Sequence, residues 1–286
     1  MATTIGTLVV AGAAVGALYF TNRSLRATND QYGLAQQTAV TDRFRLAAEQ
    51  LASEKISVRI SGIYLLERLA KDSPTDHSTV FALLGAFVRT QTIFAPQCAT
   101  ETPLPSETTA ADIQTALTVI GRRDTANDYT AGLDLRRACL AGANFSGVEL
   151  YKVDLTLSDL KYANLANGAL AGITLTRANL VGADLHGADL SYTLLDGANL
   201  TRADLTAVEL WNTNLTHATL TDARLIGATF DGTELMEADL TGADLRGAKL
   251  YGADLTNAKL DSADLSGILY NKYTRWPNGF TPPPSR

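Results

Sequence analysis

Cysteine, histidine and tryptophan are scarce in this chain, numbering two, three and two among 286 residues. Cys98 and Cys139 belong to no CxxC or Cys/His group with metal-ligand spacing. Reduced thiols in a cytosolic environment are therefore the expectation, with no cofactor and no metal site. His77 stands alone near a helix start, and no Ser, Cys or carboxylate arrangement recurs around His186 or His217. Nothing here assembles a nucleophile with its base, and no phosphate-loop motif occurs. A surplus of positive charge is also missing, since 24 Lys and Arg stand against 30 Asp and Glu, a net of −6. Phosphate binding rests on such a surplus, so direct contact with nucleic acid is not expected.

One stretch lacks charge altogether. Ile5 to Phe20 carries none in sixteen residues, and Ala2 to Thr21 is long enough to cross a bilayer as a helix. No Lys or Arg precedes the run, whereas Arg23 and Arg26 follow it. That arrangement predicts an uncleaved anchor over 2–21 rather than a signal peptide. The positive-inside tendency places everything after it on the cytoplasmic side, as a single-pass membrane protein. Gly12 and Gly16 form a GxxxG spacing through which two anchors could pack as a homodimer.

Residues 28–123 read as a helical domain. Val40, Phe44, Ala47 and Leu51 recur at helical spacing, as do Val58, Gly62, Leu65 and Leu69. Ser73-Pro74-Thr75-Asp76 starts a third helix, with Ser73 as the capping residue and Val80, Leu84, Phe87 and Val88 as its apolar face, ending near Thr90. Thr92 to Pro105 holds Pro96, Pro103 and Pro105 and reads as a connecting loop. A fourth helix follows through Ile113, Ala116, Leu117 and Ile120. The charges here, including Asp42, Arg43, Glu67, Arg68 and the Arg122-Arg123 pair, are expected on a solvated helix surface.

The second half is an internal repeat of period five. Every fifth residue from Leu135 to Leu265 is Leu, except Phe145 and Phe230, and Tyr270 completes the series of 28. Two places earlier, 17 of the 28 positions are Ala, and none is charged. The position just before the centre is Asp, Glu or Asn in 18 units, which suits turns and water. Period five fits neither a helix nor a straight strand, so the chain must bend at each unit.

This pattern resembles the pentapeptide repeat family, A(D/N)LXX, over nearly half the chain. The resemblance implies a right-handed quadrilateral β-helix with four units per coil, hence about seven coils over 131–270 and an α+β chain overall. At a strand spacing of about 4.8 Å the rod would be about 34 Å long. One interior ladder would then be Leu135, Leu155, Leu175, Leu195, Leu215, Leu235 and Leu255. The tail over 271–286 contains Trp276-Pro277-Asn278-Gly279-Phe280, which resembles the WP-x-GF segment after the repeats of bacterial members. It is read as a C-terminal cap made by Trp276 and Phe280. Upstream, VTDRFRLAAEQLASEKISVRISGIYLLERLAKDS (Val40 to Ser73), Phe87 to Arg89 and Ile113 to Arg123 resemble the membrane-anchored bacterial subgroup with an N-terminal helical region.

A rod filled with Leu and Ala has no internal cleft, so function is expected on its outer faces and no enzymatic activity is expected. Tyr151, Trp211 and Tyr251 follow central residues at numbers congruent modulo twenty, with Tyr192 beside that column. They form a candidate surface for a cytoplasmic or membrane protein partner, making the chain a membrane-anchored interaction scaffold. The alternative comes from the resemblance, because some members mimic duplex DNA and act on DNA gyrase. Residues 131–270 carry 18 acidic and 10 basic residues, a net of −8, but Arg224, Lys249 and Lys259 interrupt the acidic columns.

Overall fold

The computed structural model describes residue 31 and residues 38–93, 95–99, 109–128 and 132–285. The anchor expected over 2–21 lies outside the described residues. Among the described residues, no helix is long and apolar enough to cross a membrane.

Five helices precede the repeat: α1 (residues 38–51), α2 (Ile56–Asp72), α3 (His77–Thr92), α4 (Pro96–Ala99) and α5 (Ala111–Gly121). Helices α2, α3 and α5 pack on one another through the buried side chains of Ile63, Leu66, Leu84, Leu117 and Ile120. The apolar face of α2 is centred on Ile63, Leu66 and Leu69, while Leu65 is half-buried. Ser73 caps no backbone donor; its hydroxyl donates to the Asp76 carboxylate at 2.6 Å, just before α3. The expected loop from Thr92 is interrupted by α4, and that short helix carries a cross-link. Cys98 and Cys139 form a disulfide across a Cα separation of 5.8 Å, which overturns the expectation of reduced thiols. Their spacing of 41 residues gives no sign of it, because the first coil folds back beside α4 only in three dimensions.

The charged surface expected on the helices is partly buried. Arg59 donates to Asp112 at 2.6 Å, with the Asp112 side chain only 2% exposed. Arg122 and Lys71 both pair with Glu67, at 2.8 and 3.0 Å. Arg123, buried, donates to Asp128 at 2.9 Å and to the Tyr151 carbonyl. These groups hold helices to one another and to the repeat, while Asp42 and Arg68, with side chains 65 and 78% exposed, keep the solvated surface expected of them.

Beyond residue 132 the chain winds in coils of twenty residues. Parallel bridges join Cys139 to Asp159, Asn144 to Asn164, Glu149 to Ala169 and so on up the stack, always twenty residues apart until the last. Only Leu133–Asp134 and Val153–Asp154 are long enough to form strands. The five-residue period follows from where each peptide N–H finds its acceptor. Taking Leu205 as a centre, its own N–H donates up to Arg224 O at 2.7 Å, and the N–H two residues on, at Ala207, donates up to Ile226 O. The residue before it, Asp204, donates down to Ala183 O. The N–H of Val208 closes a turn onto Leu205 O at 3.2 Å. The fifth N–H, of Thr206, points outward and is taken by the Asp204 carboxylate at 3.0 Å. That last bond is why Asp or Asn precedes the centre, an Asx turn repeated along the rod.

The same turn fixes the second residue after each centre. All 27 such positions from 137 to 267 have φ near +60°, twelve of them Gly and fifteen not. A bond from the fourth residue to the first with positive φ only at the third is the arrangement of a type II turn. Leu157, Tyr162 and Tyr192 accept this backbone, each at about 1–2 kcal/mol relative to glycine's freedom. The inward positions are filled completely: Leu135, Leu155, Leu175, Leu195, Leu215, Leu235 and Leu255 are at most 1% exposed. Where Thr replaces Ala inside, as at Thr193, Thr213 and Thr233, its hydroxyl donates to a carbonyl of the coil behind, Leu170, Leu190 and Leu210 respectively.

The repeat runs one side further than Tyr270. Asp254 bridges to Arg275, twenty-one residues on, so a single extra residue is accommodated and Trp276 takes the place of a central residue. Thr274 continues the threonine pattern by donating to Leu250 O at 2.7 Å. Trp276 stands edge-on to Tyr270 and stacks on Phe280, with ring centroids 5.3 and 5.5 Å apart.

The first coil has no coil behind it, yet its edge is occupied. Cys139 N–H donates to Thr92 Oγ1, Asn144 N–H to Gln114 Oε1 at 2.9 Å, and Glu149 N–H to Gly121 O at 3.5 Å. The outward carbonyls of Asp134, Ala141, Asn144 and Tyr151 accept from Arg89, Thr109, Gln114 and Arg123. The helices thus stand in for the missing coil and cover an edge that would otherwise recruit another chain.

Three outcomes test this fold. Leu195→Ala should lower the stability of the full chain by about 2–5 kcal/mol in a denaturant titration, because the filled interior cannot collapse around the cavity. Leu195→Asp should abolish cooperative unfolding. Alkylation of unfolded chain without reductant, read by mass spectrometry, should leave Cys98 and Cys139 unmodified; two labelled thiols would contradict the cross-link.

Candidate interaction surface

The interior of the rod is packed, and among the described residues no group of His, Cys, Asp or Glu could hold a metal ion. Cavities lie instead among the helices and where they meet the first coil. One of about 440 Å³ is bounded by Arg89, Arg123, Asp128 and Asp134, and another of about 230 Å³ by Lys71, His77 and Arg122. His77 is buried against Phe81, with Nδ1 3.4 Å from Asp128, and neither cavity brings it a Ser or Cys nucleophile.

The outer faces carry the variable side chains. Tyr151, Tyr192 and Trp211 are exposed by 45, 63 and 48%, while Tyr251 is half-buried and leaves the exposed set. The column is also discontinuous, since Ala171 and Ser191 stand between Tyr151 and Trp211, and Asp231 stands between Trp211 and Tyr251. What the structure joins is Tyr192 and Trp211, linked by a 2.8 Å backbone bond from Tyr192 N–H to Trp211 O. Leu194, 48% exposed, follows in the same coil. Its signal in the sequence is a Leu in the slot before a centre that otherwise prefers Asp or Asn.

Part of the charge on the rod is paired between coils. Arg202 faces Asp222, Arg224 faces Asp204, Lys259 faces Asp239 at 3.0 Å and Arg275 faces Asp254 at 2.9 Å. His217 sits between Asp196 and Glu237 at 3.1 and 3.5 Å, and His186 lies 2.9 Å from Asp184. The two outward histidines are thus occupied by carboxylates. Arg136 and Arg246 each reach back two residues to both oxygens of Asp134 and Asp244. Those hydrogen bonds hold the Asp134 and Asp244 carboxyls below their ordinary value. Burial raises Asp204 and Asp254, but hydrogen bonds from Thr206 and Thr256 outweigh it and leave both lowered. Burial wins at Asp159 and Asp231, which are raised.

A closed stack of coils built from five-residue units, four to a coil, defines a solenoid of repeated β-bridges. The chain belongs to the pentapeptide repeat family: the pattern described as "Pentapeptide repeats" matches eight copies across residues 131–165, 158–197, 183–222, 198–235 and 238–268. Rfr23, a pentapeptide repeat protein of the cyanobacterium Cyanothece 51142, is 32% identical over 40% of this chain and 90% of its own, with a TM-score of 0.39. HetL of Nostoc sp. strain PCC 7120, involved in heterocyst differentiation regulation, is 30% identical over 50% of this chain and 84% of its own, with a TM-score of 0.34. QnrB1, a plasmid-mediated fluoroquinolone resistance protein, is 20% identical over 51% of this chain and 86% of its own, with a TM-score of 0.29. No curated protein sequence matches the chain. The family implies the right-handed quadrilateral β-helix expected from the repeat.

The carboxyl shifts predict an acid response. A lowered carboxyl contributes stability that is fully present above its unfolded pKa, about 3.9 for Asp, and lost as pH falls through its folded value. The raised carboxyls of Asp159 and Asp231 act the other way, gaining stability as pH falls, but they are fewer. The thermal midpoint should therefore hold between pH 7 and about 4 and fall below that. Replacing Arg136 and Arg246 by Gln should shallow the fall, and an unchanged acid response would refute the assignment.

Proposed function

We propose that this chain is a membrane-tethered, non-enzymatic scaffold whose rod presents a rigid side-chain surface to a protein partner. The observation that carries the reading is the exposure of Tyr192, Leu194 and Trp211 in adjacent coils of a rod whose interior is filled. Rigid exposed aromatics are typical anchors of protein interfaces. The tether is residues 2–21, in a bacterial inner membrane, with Trp276 and Phe280 capping the far end. Arg23 and Arg26 favour a cytoplasmic rod. The Cys98–Cys139 cross-link favours an oxidising compartment, where disulfides persist.

A second reading, mimicry of duplex DNA toward gyrase, is favoured by the net charge of −8 over residues 131–270. Against it stand the cations that punctuate the acidic columns, Arg224 between Asp204 and Asp244 above all.

Replacing Tyr192, Leu194 and Trp211 together with Ser should abolish capture of the partner from native membranes while leaving the unfolding midpoint unchanged. Retained capture would sink the aromatic surface. Potent inhibition of gyrase supercoiling by the full chain would put the second reading first.

A further inference from the structure

Two aromatic rings of the outer surface are already covered by the chain's own cations. Lys152 Nζ lies 5.1 Å from the Tyr151 ring centroid, and Lys272 Nζ lies 5.0 Å from that of Tyr273. Tyr192 and Trp211, exposed by 63 and 48%, have no cation over them among the described residues. The carboxylates beside them are equally unserved. Asp189 and Glu209 are bridged in register, one directly above the other, and Glu234 sits in the column of Leu194. Among the described residues none of the three has an Arg or Lys within 4 Å, in contrast to Asp204, Asp222, Asp239, Asp244 and Asp254, each paired with an Arg or Lys. Like charges directly opposite on neighbouring strands are destabilising, and elsewhere on the rod an interleaved cation relieves such columns. Here the relief is absent on the face where the aromatics are bare.

We propose that Tyr192, Leu194 and Trp211, together with Asp189, Glu209 and Glu234, form a docking site for an arginine- or lysine-rich segment of the partner protein. The proposal rests on the scaffold reading above and adds the partner's chemistry. A guanidinium stacked on Trp211 or Tyr192 would repeat what Lys152 does on Tyr151, and the same cation can donate to Asp189 and Glu209. Leu194 supplies an apolar contact for the aliphatic stem of such a side chain.

The test uses the full chain in detergent and fluorescein-labelled peptides alternating Gly with Arg, Lys or Glu, read by anisotropy. The Arg peptide should bind, the Lys peptide about tenfold more weakly, and the Glu peptide not at all. Trp211→Ala with Tyr192→Ala, and separately Asp189→Asn with Glu209→Gln, should each weaken Arg-peptide binding about tenfold or more. Asp244→Asn, on another face and already paired with Arg246, should leave it unchanged. Thermal midpoints of all variants serve to exclude unfolding, and Trp211→Phe keeps a ring where the double Ala variant fails to fold. Arg-peptide binding that is absent, or that falls equally with Asp244→Asn, overturns the proposal. A photocrosslinker at Asn212 in native membranes separates the two levels. A crosslinked protein without a basic segment, or a second copy of this chain, defeats the basic-partner inference while leaving the surface in use; no crosslink at all defeats the scaffold reading as well.

Discussion

Each coil of the rod gives two peptide N–H groups per side to the coil ahead and receives one from it, and everything else in the molecule is arranged so that this exchange is never interrupted. The left-handed corner residue turns the chain after every centre. The Asp or Asn before the centre absorbs the single N–H that points away from the stack. Leu and Ala fill the space that the coils enclose, where each Leu contributes about 1.5–3 kcal/mol by leaving water. An unpaired group in such a place would cost about as much as one of those leucines provides. The ends are therefore where the design is most constrained, and the helical region meets that demand at one of them through Gln114, Thr92, Arg89 and Arg123.

Much of this was legible because the constraint has a period. Leu every fifth place and Ala two places earlier announce burial, and the carboxylate or amide between them announces a turn. The corner position was less visible, since its left-handed backbone holds Gly at only twelve of 27 sites and tolerates Arg, Tyr and Asn at others. Non-periodic features were illegible for the same reason. The 41-residue reach between Cys98 and Cys139 depends on how α4 settles beside the first coil. Arg123 looks like a surface charge beside Arg122 until the first coil brings the Tyr151 carbonyl to it. The extra residue before Arg275 hides the fact that Trp276 is a central residue in disguise.

On the outside, sequence reading and structure group the exposed aromatics differently. Spacing modulo twenty selects Tyr151, Trp211 and Tyr251, which share a column yet stand coils apart. Adjacency across a corner selects Tyr192, Leu194 and Trp211, and only the fold gives that adjacency. Charge follows the same logic. A tally finds an acidic rod, whereas register pairs six of its eighteen carboxylates with an Arg or Lys of a neighbouring coil and leaves Asp189, Glu209 and Glu234, beside the bare rings, without such a partner.

The cross-link also decides how the molecule would bear load. A pull arriving from the N-terminal side travels through the helices to residue 98 and passes by a covalent bond into residue 139, within the first coil. The segment between them, with α5 and the hydrogen bonds that seat it on the coil's edge, lies outside that path. Tension would reach the rod without peeling away α5, while α1 to α3 stand in the path ahead of the cross-link, so the joint between α4 and the first coil is built as a rivet and not as a zipper.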